Sequence, residues 1–160
     1  MKKRYIVIVL VVFAVLFWAL TKAVPQNPPV NSPDVDTETP TPVLAQKDDM
    51  IVVSSPSIDS TISASPVVIK GRARGNWFFE ASAPVTVVNW DGLIIGEGYI
   101  SVDEGYDWMT TEYVPFTGTI SYDASQIGVY NYGWIIMKKD NPSDEPQFDN
   151  SLEFKIFFPQ

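Results

Sequence analysis

In the stretch Arg72–Val85, RARGNWFFEASAPV, a single carboxylate, Glu80, directly follows Trp77, Phe78 and Phe79. A carboxyl group against an apolar wall is a setting that raises a pKa and so makes a general acid. Glycoside hydrolysis, which such an acid serves, needs a second carboxylate about 5 to 10 Å away across a sugar-sized cleft. The order of acids along the chain fixes no such pair. The sequence favours a structural expectation instead: Glu80 accepts hydrogen bonds from backbone or Trp N–H groups and ties a loop to the fold. The chain has no Cys and no His. That removes thiol nucleophiles, thiolate and imidazole metal sites, disulfides, and every catalytic arrangement built on Ser/His or Cys/His.

Two further clusters carry chemistry by type. In SVDEGYDWMTTEYVP, the acids Asp103, Glu104, Asp107 and Glu112 interleave with Tyr106, Trp108 and Tyr113. Aromatic rings beside acids on a long loop can stack on a sugar or grip a basic peptide. Trp108 is expected to plug the end of the core, which leaves Tyr106 and Tyr113 as the freer partner-binding candidates. In DNPSDEPQFDN, the acids are Asp140, Asp144, Glu145 and Asp149. Oxygen-rich loops can hold Ca²⁺, but this spacing is not that of an EF-hand. A solvated turn is expected, with no metal and no cofactor.

The elements that must position these residues follow from composition and periodicity. Residues 1–24, MKKRYIVIVLVVFAVLFWALTKAV, place a basic cluster before an unbroken apolar run from Tyr5 to Leu20. This is long for a signal peptide and close to the roughly 20 residues of a span, so an uncleaved membrane anchor is expected, with a signal segment cleaved near Thr21 and Ala23 as the alternative. Lys2, Lys3 and Arg4 then stay in the cytoplasm, and the rest of the chain lies on the extracytoplasmic side. Residues 25–49 contain six prolines and only scattered aliphatics, the composition of an extended linker that stands a domain off the bilayer.

From Met50 to Gln160 short apolar or alternating runs are separated by turn residues, without helical periodicity. VVIKGRAR sets Val67, Ile69, Gly71 and Ala73 against Lys70, Arg72 and Arg74; LEFKIFF sets Leu152, Phe154, Ile156 and Phe158 on one face. Asp91-Gly92, between VTVVNW and LIIGEGYI, predicts a two-residue hairpin with positive φ at both central positions. About seven such strands in residues 50–160 predict an all-β, immunoglobulin-like sandwich. From Met50 onward six basic residues face fourteen acidic ones, which argues against nucleic acid or anionic lipid headgroups as the principal partner.

Three pieces of this region carry a resemblance: VSSPSIDSTISASPVVIKGRARGNWFFEASAPVTVVNWDG, with Ser55-Pro56 and Phe79-Glu80-Ala81; DWMTTEYVPFTGTISY, with Trp108; and KKDNPSDEPQFDNSLEFKIFF. Together they resemble the immunoglobulin-like domain associated with bacterial spore germination. The resemblance implies an extracytoplasmic β-sandwich on membrane-attached proteins, with an interaction role, no known catalysis, and Trp77, Phe79, Glu80 and Trp108 as structural motif residues. The expectation is a single-pass envelope module that binds another envelope protein or a cell-wall component. The alternative is a carbohydrate-binding or carboxylate-dependent carbohydrate-active module.

Overall fold

The computed structural model describes residues 41–160. The expected anchor, residues 1–24, and the larger part of the expected linker lie outside the described residues. Among the described residues, no helix is long and apolar enough to cross a membrane.

The described residues are all-β, with strands β1 (Ala45–Lys47), β2 (Ile51–Ser55), β3 (Val67–Arg74), β4 (Ser82–Asn89), β5 (Ile94–Val102), β6 (Tyr113–Ile120), β7 (Tyr132–Lys138) and β8 (Ser151–Phe157). Each pair is antiparallel. The eight strands form one continuous sheet, in the order β1-β2-β3-β6-β5-β4-β7-β8. About seven strands in two sheets were expected. The difference has two sources. One is β1, inside the stretch expected to be linker, whose Ala45 is buried and pairs with Val53. The other is β5, which pairs with β4 along its length and with β6 through Ile100, Ser101 and Val102. That shared strand joins β2-β3-β6-β5 to β4-β7-β8, the two strand orders of an immunoglobulin-like sandwich. The outermost strands, β1 and β8, lie against each other, so the sheet wraps around its core.

Alternation decides which residues enter that core. Val67, Ile69 and Ala73 of β3, Phe116 and Ile120 of β6, and Leu152, Phe154 and Ile156 of β8 are buried, as is Phe158 just beyond it, and Lys70 and Arg72 face out. Trp77, Phe116 and Phe158 are the largest fully buried side chains. Each buried side chain of this size contributes on the order of 2 to 3 kcal/mol by leaving water. Without disulfides, aromatic packing closes the core: Phe78 meets Phe116 edge-on at 6.1 Å, and Tyr122 meets Phe158 at 5.4 Å.

Two turns depart from the sequence expectation. At Asp91-Gly92 only Gly92 has positive φ, +81°. The loop is a three-residue hairpin, with Gly92 N–H donating to Asn89 O (3.0 Å) and Asn89 N–H to Leu93 O (2.9 Å). Asn89, 4 % exposed, holds it from within. Its Oδ1 accepts from the N–H groups of Asp91 and Leu93, and its Nδ2 donates to Gln126 O. The tight two-residue turn falls elsewhere, at Glu80-Ala81, where φ is +50° and +60°. Phe79 and Ser82 exchange both backbone hydrogen bonds across it, at 3.1 Å each.

Candidate functional site

The turn at Glu80-Ala81 changes the expected role of Glu80. The side chain is exposed and, among the described residues, accepts no hydrogen bond. Glu80 is therefore not the acceptor that ties Trp77 to the fold. Trp77 is fully buried, and its Nε1–H has no partner among the described residues. The physical reason lies in the backbone: the first position of a left-handed two-residue turn points its side chain to solvent, away from the aromatic residues just before it. The same exposure removes the apolar enclosure that a catalytic acid would need.

Phe79, partly exposed, meets half-buried Trp108 edge-on at 6.1 Å. Trp108 also packs against the core. The segment carrying it is held close to Gly75, where a Cβ would overlap the carbonyl oxygens of Trp108 and Thr110. Glycine is the residue that lets the two backbones approach. Met109, beside Trp108, is exposed, and the two line a shallow recess of about 380 Å³ with Asn76 and Thr110.

Tyr106 and Tyr113, expected to act together, are separated by their surroundings. Tyr106 is 58 % exposed in the loop. Tyr113 begins β6 instead of lying in the loop, and its ring stacks under Arg74 (4.2 Å) and Arg72 (5.1 Å). Its hydroxyl donates to Asp49 Oδ1 at 3.0 Å, and Arg74 pairs with the same carboxylate and with Glu112 at 3.9 Å. Hydrogen bonds from Arg74 and then Tyr113 hold Asp49 below the usual carboxylate range. Loss of water around the Tyr113 hydroxyl, followed by the hydrogen bond to Asp49, pushes its pKa up. The cluster fastens the turn before β2 to β3 and β6, so Tyr113 serves the fold.

A surface that the sequence expectation omitted is more extensive. On the outer face of β5-β4-β7-β8, register aligns Ile94, Val88, Trp134 and Lys155 in one row. Tyr132 lies opposite Phe157 in the next position. Trp90, Tyr130, Tyr132 and Trp134 follow one another at centroid separations of 5.1, 5.9 and 5.6 Å. Lys155 Nζ sits 4.8 Å from the Tyr132 ring and 4.7 Å from Phe157. Around this row Tyr130 is 54 % exposed, Val129 81 %, and Leu93 and Ile94 are also exposed. The core does not require these rings, because the inward positions of the same strand are taken by Gly133, Ile135 and Met137. The sequence signal was the spacing of Tyr130, Tyr132 and Trp134, two residues apart, which puts Tyr132 and Trp134 on one face of β7 and Tyr130 just ahead of them.

Among the described residues, no group of three or more acidic side chains is placed to hold a metal ion. Two acids of the loop after β7 are instead partners of its own turns: Asp149 accepts from Asn141 Nδ2 at 2.8 Å, and Glu145 receives Gln147 Nε2. Residues 50–135 match the family model of the immunoglobulin-like domain of bacterial spore germination. No curated protein and no solved structure matches the chain.

Proposed function

Because the chain belongs to the family of immunoglobulin-like domains of bacterial spore germination, we propose that it is a membrane-tethered, extracytoplasmic module. In this reading it binds a protein of the bacterial envelope, without catalysis, through the outer face of β5-β4-β7-β8. The observation that carries the reading is the row from Trp90 to Trp134, an aromatic surface that the core does not need. Tyr and Trp offer large contact area with few rotatable bonds, which is why such side chains anchor interfaces. The face is broad, and the Trp108 recess lies elsewhere, which favours a protein surface over a small ligand. The tether and orientation rest on the basic cluster ahead of the Tyr5–Leu20 run.

A glycan is the second reading, favoured by the same spaced rings. A photo-crosslinking amino acid at Tyr130, with Thr119 on β6 as the control position, separates the two in intact cells. A protease-sensitive adduct from Tyr130 and not from Thr119 supports the protein reading, and an adduct sensitive to wall hydrolases transfers the site to glycan. Equal labelling from both positions removes the face from consideration. Protease added to spheroplasts is expected to release the β-domain by cutting the Pro-rich segment; a protected domain reverses the orientation.

A further inference from the structure

Where β1 lies against β8, a recess of about 600 Å³ opens beside the ends of β1 and β7 and the start of β8. Lys47, Lys138 and Lys139 line it. Residues 41–160 contain seven basic residues against sixteen acidic ones. A strongly negative unit thus gathers nearly half its cations in one concavity, although like charges brought together repel. Ion pairing does not explain the placement. Among the described residues the ion pairs within 4.0 Å join Arg74 to Asp49 and Glu112, and Lys155 to Asp59. None of the three lysines takes part, and Lys139 Nζ reaches only the backbone oxygen of Phe148, at 3.5 Å.

The walls are built rather than loose. Lys138 is paired with Ser151 in the β7–β8 ladder, and Lys139 N–H donates to Asn150 O at 2.8 Å. The intervening loop is folded on Asn141, whose Nδ2 donates to Glu145 O and to Asp149 Oδ1. Asp144 and Asp149 also line the recess. They bound what fits: an extended polyanion would meet both carboxylates, whereas one compact oxyanion needs only the lysine-lined part of the recess. Lysine serves phosphate as a point charge with three donors.

We propose that this recess binds a single phosphate group, independently of the aromatic face. The group can come from a soluble phosphate or from an anionic phospholipid headgroup. Full-length protein in neutral detergent, carrying isotope-labelled lysine methylene carbons, is titrated in one arm with inorganic phosphate. In the other arm short-chain phosphatidylglycerol is added, with phosphatidylcholine of the same chain length as control. Saturable shifts of the Lys47, Lys138 and Lys139 resonances are expected in at least one arm, and the responding arm identifies the source. Replacing both Lys138 and Lys139 by Ala is expected to weaken binding about tenfold or more, the scale of one lost charge-assisted hydrogen bond. Asp144→Asn, at a backbone φ of +54° that Asn tolerates, is expected to tighten it and needs no loss of fold to be read. Absence of saturable binding in both arms, unchanged affinity in the double variant, or weaker binding by Asp144→Asn overturns the proposal.

Discussion

Glu80 shows how backbone geometry outranks side-chain type. Its acid function is idle in the fold, while its φ of +50° is of a kind that suits Gly or Asn better. Glu80→Gly is therefore expected to raise stability by about 0.5 to 1 kcal/mol, and Glu80→Gln to leave it unchanged. Urea melts read at a shared slope check both, and a loss above about 1 kcal/mol in Glu80→Gln would restore a structural role for the carboxylate. Asp49 is an acid that the fold does use. Its folded pKa lies below the ordinary 3.8, so its contribution is present above that pH and is lost as pH falls through the folded value. Asp123, lowered by hydrogen bonds from Ser125 and Gln126, acts with the same sign. Stability measured from neutral pH downward is expected to fall below about pH 4. In Asp49→Asn that fall should be shallower, and identical slopes would show that the Arg74–Tyr113 cluster contributes nothing to it. The type of Asp49 was plain in the sequence, but its partners lie 25 and 64 positions away, beyond any local pattern.

At the scale of elements, strand identity and facing were legible because side-chain alternation is a local property. The faces of β3, β6 and β8 follow directly from VVIKGRAR, FTGTISY and LEFKIFF. Turn geometry was less legible. Asp91-Gly92 carried the hairpin signal, yet the buried Asn89 converts the loop to three residues by accepting from Asp91 and Leu93. Asn89→Ala strips an acceptor from two backbone donors and a donor from Gln126 O. It is expected to cost about 2 to 4 kcal/mol, whereas exposed Asp91→Ala should cost less than about 0.5. Comparable losses in the two variants would mean that the Asn89 bonds are not what shapes the turn. Gly75→Ala tests the neighbouring loop: with the carbonyls of Trp108 and Thr110 in the way, it is expected to cost about 1 to 3 kcal/mol. A neutral result would show that the Trp108 segment yields easily. The aromatic row escaped notice at this scale because it joins two loops and one strand, and only the VYNYGW portion is contiguous.

For the molecule as a whole, a sheet that shares β5 between its halves and brings β1 against β8 leaves no seam at which one half can open alone. Residues 41–160 are expected to unfold in a single cooperative step. Reductant should have no effect, since the chain has no Cys. Trp77 in the core and Trp134 on the outer face report opposite sides of β4-β7, so single-tryptophan variants should share one midpoint. Separate midpoints would divide the unit. Composition excluded thiol and imidazole chemistry, and alternation named the class of fold and its inward residues, because both depend on residue type and near neighbours. Only the tertiary structure decided that Glu80 faces water, that Tyr113 is bound to Asp49 and the arginines, that three lysines share a recess, and that four rings form one surface. The first is set by the backbone of one tight turn; the others depend on contacts between segments distant in sequence, whose register is set by the packing of the whole core rather than by any one segment.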